Sequence, residues 1–292
     1  MGSALDDLVR LLQVDETAPG RFESRSVETR CRRLYGGQVV AQALMAAGTD
    51  LDPTRAPHSL HAYFVKSGDP KAPITFGVEA VRDSGTFSTR RVVAHQGERL
   101  LLSLQASFHD LEEGHEEVEA LPDVVGPDEM VPADDWELAA AGPDQNLDLP
   151  FFLDGVETRQ LEESLGGPGR SWPTGLREPR RDMWIRARGE LPDWPLLHAC
   201  VLTYASDKPM LGTTALSPPM RDDPRPHLLA SLDHSIWFHR AFRIDQWLLL
   251  RLTSATPSGA RAFATGEVFR QQGGRAARIA QEGLARPLDA PA

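Results

Sequence analysis

Asp207 is the residue whose type and position most favour chemistry. It follows Tyr204 by three residues, so it continues the apolar face of a predicted helix. A carboxylate there loses solvent and faces the negative end of the helix dipole, and both effects raise its pKa toward the range of a general base. The alternative is an aspartate that points into water in a turn before Pro209.

Two more polar side chains fall where the pattern of the chain predicts apolar ones. Gln281 follows Ile279 on the same face of a predicted strand, so it points inward if Ile279 does. A buried amide offers donors and an acceptor and can orient a water molecule, or it can be a satisfied amide of the core. Ser231 opens a strand whose alternation places it on the face opposite His234, where its hydroxyl could also serve a purely structural hydrogen bond.

Other chemistries find less support in the sequence. No Gly-x-Ser-x-Gly segment occurs, which argues against a serine-hydrolase triad. Cys200 lies on the apolar face of the predicted helix, as a core thiol would. His58 and His61 point to opposite faces of a strand, and no further ligands complete a metal site. The glycine-rich loop 166–169 lacks the strand-to-helix context of a phosphate loop.

The three polar residues belong to the second of two similar halves. The pattern that begins at His58 begins again at Ser231, roughly 170 residues later. In this alignment Ser59 matches Ser231, and Gln105 matches Gln281. A duplicated fold leaves one copy free to acquire chemistry, so differences between the copies indicate the site.

Each half combines one buried helix with alternating strands. The helices are predicted at 38–47 and 195–204, where apolar residues recur at helical spacing and charges are absent. The predicted strands cover 63, 75–78, 89–93 and 100–108 in the first half, and 183–188, 231–238, 247–253, 260–269 and 276–285 in the second. A long buried helix followed by an antiparallel meander is the hot-dog pattern. The prediction is therefore an α+β double hot-dog fold.

A different composition separates the two halves. After an acidic run the chain becomes rich in proline, with a possible edge strand near 151–152. We predict an N-terminal hot-dog domain over 1–112, a connector over 113–180 that partly wraps the surface, and a C-terminal hot-dog domain over 181–292. The acidic residues are typical of solvated surface.

Composition restricts the partners and the compartment. The chain has 292 residues and a formal net charge of -11, which argues against binding to nucleic acid or to an anionic membrane surface. No apolar run approaches the length of a membrane helix, and residues 1–14 resemble an amphipathic helix rather than a signal peptide. Two cysteines do not make a disulfide framework, so we expect a cytoplasmic protein.

Several segments together resemble the acyl-CoA thioesterase II family. The matching segments are 34–43 (LYGGQVVAQA), 58–64 (HSLHAYF), 204–207 (YASD), 231–240 (SLDHSIWFHR) and 268–283. They run in order over nearly the whole chain and are weakest in the connector. The resemblance implies a double hot-dog enzyme that hydrolyses fatty acyl-CoA to free fatty acid and CoA without a cofactor or a metal.

The resemblance also implies the catalytic set. The family uses an Asp, a Thr or Ser, and a Gln from its C-terminal copy, which fall on Asp207, Ser231 and Gln281. Ser231 stands where many relatives carry Thr, so the hydroxyl is kept. Asp207 would take a proton from a water oriented by the other two residues. Backbone N–H groups of Gly36 and Gly37 are candidate donors to the oxyanion, which would place the site between the copies.

Coenzyme A carries phosphates, so basic residues are candidate contacts. The candidate substrate-binding set is Gly36, Gly37, His61, Arg90 and Arg91, with Arg33, Lys66 and Arg261 as further basic candidates. Solvated surface is the alternative for each arginine and lysine.

Two other functions and two further expectations stay open at this point. A non-catalytic acyl-CoA-binding protein would share the fold, and a hot-dog enoyl-CoA hydratase would pair an Asp with a nearby His, whereas His198 is nine residues before Asp207. We expect a homo-oligomer, a dimer or a tetramer, because hot-dog sheets commonly pair edge to edge. Asp50 is a possible degenerate counterpart of Asp207, which would leave one working site per chain.

Overall fold

A computed structural model describes most of the chain. The described residues are 3–25, 34–132, 155–160, 180–221, 223, 225, 227–255 and 257–288. Cys31, Arg33, the possible strand at 151–152 and the loop 166–169 lie outside them.

Four α-helices and fourteen strands occur in the described residues. The helices are α1 (Ala4–Leu12), α2 (Gly36–Gly48), α3 (Pro195–Thr214) and α4 (Pro218–Arg221), and a 3-10 turn covers Pro127–Glu129. The strands of the first half are β1 (Val14–Ala18), β2 (Arg21–Ser24), β3 (Ala56–Phe64), β4 (Thr75–Ser84), β5 (Phe87–Gln96) and β6 (Arg99–His109). The remaining strands are β7 (Val131–Pro132), β8 (Val156–Gln160), β9 (Arg180–Ala187), β10 (His227–Ser231), β11 (Asp233–Phe238), β12 (Leu248–Ser254), β13 (Arg261–Arg270) and β14 (Arg275–Pro287).

The strands form one continuous sheet with the two halves joined at its centre. The strand order is β1-β2-β4-β5-β6-β3-β11-β14-β13-β12-β9-β8-β7, and β10 pairs with β14. The central pair β3 and β11 is antiparallel, with Leu60 opposite Ile236. Outward from this pair, β3-β6-β5-β4-β2 on one side matches β11-β14-β13-β12-β9 on the other. This arrangement confirms the predicted double hot-dog fold.

The helices α2 and α3 pack against each other and against the inner face of this sheet. In α2 every residue except Gly36 and Gln38 is buried, as its lack of charged residues predicts. Most of the buried apolar side chains of α2, α3 and the inner sheet face belong to one cluster. The two halves therefore share one core.

The chain that follows β6 covers the outer face of the C-terminal half of the sheet. Trp184 in β9 donates its indole N–H to the carbonyl of Val125 at 2.9 Å, and Gly274 donates its N–H to the carbonyl of Glu119 at 2.9 Å. Glu119 also forms an ion pair with Arg275 at 2.6 Å. This part of the connector wraps the surface, as predicted, and Glu119 is engaged there rather than freely solvated.

The predicted alignment of Gln105 with Gln281 is wrong. Gln105 is exposed on the outer face of β6, whereas Gln281 is fully buried on the inner face of β14. The inward neighbours of Gln105 are Leu104 and Ala106. Because side chains alternate between faces, an alignment shifted by one residue exchanges the two faces of the sheet.

Candidate active site

The three residues singled out from the sequence meet in the structure. Asp207 Oδ1 accepts hydrogen bonds from the Ser231 hydroxyl at 2.8 Å and from Gln281 Nε2 at 2.9 Å. Gln281 Nε2 also donates to Ser231 Oγ at 2.8 Å. Asp207 is 3% exposed and Gln281 is fully buried, while Ser231 is partly buried. The result is a closed triangle of a carboxylate, a hydroxyl and an amide.

Asp207 lies within α3 and not at its end. The helix continues to Thr214 and contains Pro209, so the expected position at the negative end of the helix dipole is wrong. The predicted burial is confirmed, because Asp207 does continue the buried face that includes Tyr204. The helix predicted at 195–204 is thus ten residues too short at its C-terminal end, and Pro209 lies inside a helix most of whose residues are buried.

The tyrosine before α2 contacts the backbone of α3 beside Asp207. The Tyr35 hydroxyl donates to the carbonyl of Tyr204 at 2.7 Å and accepts from the N–H of Lys208 at 3.2 Å. Those two groups would bond to each other in an uninterrupted α-helix. Pro209 has no N–H to continue the ladder. The segment that carries Asp207 is therefore fixed by a side chain from the other half of the molecule.

A β-bulge turns Ser231 toward Asp207. Ser231 lies opposite Gly283 and Ser235 lies opposite Ala280, so one strand has an extra residue between these two pairs. Leu232 occupies the break between β10 and β11, and its N–H still bonds to the carbonyl of Glu282 at 2.9 Å. The extra residue shifts the alternation by one. The predicted placement of Ser231 on the face opposite His234 is consequently wrong, since both side chains contact Gln281.

The N-terminus of α2 contacts the second carboxylate oxygen. Gly37 donates its backbone N–H to Asp207 Oδ2 at 2.8 Å, and a Cβ on Gly36 would lie 2.9 Å from the same oxygen. The cluster thus lies between the two halves, as expected. The N–H of Gly37 binds the carboxylate in this structure, instead of being available for an oxyanion. The positive end of the α2 dipole stabilises the negative charge of Asp207.

A buried histidine completes the network around Gln281. His234 Nδ1 is 2.6 Å from Gln281 Oε1, and His234 Nε2 is 3.1 Å from Ser206 Oγ. Burial lowers the pKa of His234, against the opposing effects of the Asp207 charge and the Gln281 hydrogen bond. No sequence motif indicates a role for His234, although its alternation with Ile236 indicates an inward position.

The structure does not bring the other candidate residues to this cluster. His61 lies on the outer sheet face, where it bonds to Ser235 at 3.2 Å, and Arg91 lies on the same face. Arg90 is buried and forms ion pairs with Asp83 at 2.7 Å and Asp50 at 3.6 Å.

These ion pairs place Arg90 near the C-terminal end of α2. That end is roughly 17 Å along the helix from Gly37 at about 1.5 Å per residue. Lys66 is exposed, and Arg261 bonds to Glu282 at 2.9 Å.

The position that mirrors Asp207 in the first half is Gly48, and not Asp50. Asp207 and Gly48 are each the thirteenth residue of their helix. The contact of Asp207 with Gly37 is matched by a close contact of Gly48 with Leu196, where an added Cβ would lie 2.7 Å from a Leu196 methyl carbon. Asp50 lies after the end of α2 and is 55% exposed. Gly48 of the first half therefore meets Leu196 of the second half at the position where Asp207 meets Gly37.

The described part of the chain offers no other obvious chemical centre. It contains no group of three or more His, Cys, Asp or Glu residues placed to hold a metal ion. Cys200 is fully buried, and burial raises the pKa of its thiol. His198 is also buried and accepts from the N–H of Ile244 at 3.2 Å. None of the described helices is long and apolar enough to cross a membrane.

Known proteins resemble the chain over most of its length. Residues 26–109 match a family model described as the acyl-CoA thioesterase N-terminal domain, and residues 168–284 match one described as acyl-CoA thioesterase. Human acyl-coenzyme A thioesterase 8 is 34% identical over 91% of this chain and 84% of its own length. The chain belongs to the acyl-CoA thioesterase II family. It is an acyl-CoA hydrolase.

A bacterial relative and a solved structure agree with this assignment. Acyl-CoA thioesterase 2 of Haemophilus influenzae is 33% identical over 98% of this chain and 99% of its own length. The crystal structure of an acyl-CoA thioesterase II from Mycobacterium marinum superposes with a TM-score of 0.79, at 32% identity, over 97% of this chain and 99% of that chain.

Proposed function

We propose that Asp207, Ser231 and Gln281 activate a water molecule for hydrolysis of the acyl-CoA thioester. The observation that carries the proposal is the hydrogen-bonded triangle itself. The nearly buried carboxylate of Asp207 accepts hydrogen bonds from the Ser231 hydroxyl, the Gln281 amide and the backbone N–H of Gly37. No histidine contacts Ser231 as a base would in a serine hydrolase, among the contacts of the described residues.

In this mechanism Asp207 is the general base. It removes a proton from water as the water oxygen attacks the thioester carbonyl carbon. The C–S bond then breaks, and the proton held by Asp207 passes to the departing thiolate, so the products are the free acid and CoA. Ser231 and Gln281 orient the water, and no covalent acyl-enzyme is formed. The N-terminus of α2 provides a positive potential for the charge that develops on the carbonyl oxygen.

The variant Asp207→Asn tests the proposal through release of free thiol from a panel of acyl-CoAs. Asp207 accepts three hydrogen bonds, whereas an asparagine turns one of its two oxygens into a donor. We expect kcat to fall by about 10²–10⁴-fold, the contribution typical of a general base. Asp50→Asn is the matched control, since this exposed carboxylate lies outside the cluster. Wild-type rates in Asp207→Asn would refute the assignment of the base.

The same assay separates the alternative functions. A protein that only binds acyl-CoA releases no thiol, and an enoyl-CoA hydratase changes the absorbance of an enoyl-CoA without releasing thiol. Family membership and the absence of a His contact on Asp207 among the described contacts both favour hydrolysis.

We further propose a cytoplasmic homo-oligomer, a dimer or a tetramer. The free buried thiol of Cys200 supports a reducing compartment such as the cytoplasm. Association is supported by Tyr63 and Trp237, which lie on the central strands β3 and β11 and are 66% and 39% exposed. Large exposed aromatic side chains are typical of association surfaces. Light scattering at micromolar concentration should give a mass above that of one chain, and cell fractionation should recover the protein with the cytoplasm. A monomeric mass would contradict the first expectation, and recovery with the membrane fraction the second.

A further inference from the structure

His234 is held on both sides of its ring inside the core of the C-terminal half. The side chain is fully buried in β11. One ring nitrogen contacts the carbonyl oxygen of the Gln281 amide at 2.6 Å, and the other contacts the Ser206 hydroxyl at 3.1 Å. His234 makes no hydrogen bond to Asp207 or Ser231 among the described contacts. Its hydrogen-bonded link to these residues runs through Gln281.

The direction of each hydrogen bond follows from the chemistry of the groups. The Asp207 carboxylate can only accept, so Gln281 must present its NH₂ group to it. The Gln281 carbonyl oxygen then faces His234 Nδ1, which must carry a proton to bond there. In a neutral imidazole the other nitrogen, Nε2, is an acceptor, so the Ser206 hydroxyl can donate a hydrogen bond to it. The chain of donors runs from Ser206 through His234 and Gln281 to Asp207.

We propose that His234 and Ser206 are positioning residues that fix the amide orientation of Gln281. This inference rests on the proposed catalytic role of Gln281. If the amide turned by 180°, its oxygen would face the Asp207 carboxylate and its NH₂ group would face the Nδ1–H of His234. Both contacts would become repulsive. His234 thus keeps the donor side of Gln281 aimed at Ser231 and Asp207, where the water is oriented.

The neutral form of His234 suits this role. Burial lowers its pKa, although the charges of Asp207 and Asp233 and the hydrogen bond to Gln281 oppose that effect. A neutral ring adds no positive charge beside Asp207. Ser206 also lies 3.2 Å from the carbonyl of Thr203, a second acceptor toward which its hydroxyl can turn.

Two substitutions at His234 separate positioning from packing. His234→Asn places an amide nitrogen close to the position of Nδ1, so a donor to Gln281 is kept. His234→Leu has a comparable volume and no donor. We expect kcat to fall about 10- to 100-fold in His234→Leu with little change in KM, since a misplaced catalytic group costs rate rather than binding. His234→Asn should restore most of that loss.

A double-mutant cycle with Gln281→Ala shows whether His234 acts through the amide. If it does, His234→Leu lowers kcat no further once Gln281 is alanine, because the two residues form one unit. Independent effects that multiply would overturn the inference. Full activity in Gln281→Ala would instead refute the proposed role of Gln281, so the two failures are distinguishable.

The tautomer of His234 gives a test that needs no variant to be active. In ¹⁵N-histidine-labelled wild-type protein, the His234 signal, assigned by its loss in His234→Leu, should show a neutral ring protonated at Nδ1. If His234→Leu fails to fold, His234→Asn serves for the assignment. Ser206→Ala should remove the donor to Nε2 and lower kcat severalfold. A ring protonated only at Nε2 would contradict the proposal.

Discussion

The glycine at the start of α2 offers the most direct test of how tightly the Asp207 carboxylate is held. A Cβ added at Gly36 would lie 2.9 Å from Asp207 Oδ2 and 2.9 Å from Cε1 of Phe64. Ordinary contact begins at 3.4 Å, so both contacts must lengthen by about half an ångström. Asp207 cannot retreat without lengthening its hydrogen bond from Gly37, which is 2.8 Å long.

The expected effect of Gly36→Ala follows from that displacement. A misplacement of about 1 Å can cost about 10²-fold in rate, so half an ångström should lower kcat about tenfold. The fold should not suffer equally, because alanine is the better helix former by up to about 1 kcal/mol. We therefore expect a loss of activity without a comparable loss of thermal stability, measured by thiol release and by thermal denaturation.

Gly85→Ala is the matched control for this substitution. An added Cβ at Gly85 meets nothing within 4 Å, so both activity and melting temperature should stay at wild-type values. Wild-type kcat in Gly36→Ala would refute the reasoning that the carboxylate position limits the rate. A large drop in melting temperature would show that Phe64, and not Asp207, takes up the strain.

Two further predictions concern the structure around the site and the pH dependence of stability. Tyr35→Phe removes the hydroxyl that bridges Tyr204 and Lys208, so kcat should fall severalfold and the free energy of unfolding by about 1 kcal/mol; unchanged values would mean that α3 needs no bridge. Burial tends to raise the pKa of Glu157, but hydrogen bonds from two arginines outweigh it and lower that pKa below its usual value. The stability that these bonds contribute is present above the unfolded-state pKa of about 4.3 and is lost as the pH falls through the lower folded-state value. Glu157→Gln should therefore be less stable than wild type at pH 7 by about 1–2 kcal/mol, with allowance for the partly exposed arginines, and the difference should shrink at acid pH; a constant difference would contradict this account.

Local periodicity sufficed for those parts of the site that depend on one element alone. The inward position of Gln281 followed from its alternation with Ile279, and both side chains are buried in β14. The burial of Asp207 followed from its spacing after Tyr204 on the helix. These inferences succeed because the side-chain periods of strands and helices are fixed by backbone geometry.

Where the prediction failed, a contact between distant residues had overridden the local pattern. Ser231 reaches the cluster only because the bulge at Leu232 shifts the alternation by one residue. Gln105 and Gln281 were matched one residue out of register, and α3 extends past Pro209 where the sequence suggested a turn. A bulge and a proline accepted inside a helix both depend on packing and hydrogen bonds that no short segment contains.

The double hot-dog fold, the family and the inward positions of Asp207 and Gln281 could be predicted from the sequence, since these depend on periodicity and on short segments. The contacts that assemble the cluster between the halves became visible only in the fold. Gly37 and Asp207 are 170 residues apart in the chain and 2.8 Å apart in the fold. The contact of the His234 ring with Gln281 likewise forms only because β11 lies beside β14 in the fold. The physical reason is that hydrogen bonds act over about 3 Å in space, whereas a sequence pattern reports only neighbours along the chain.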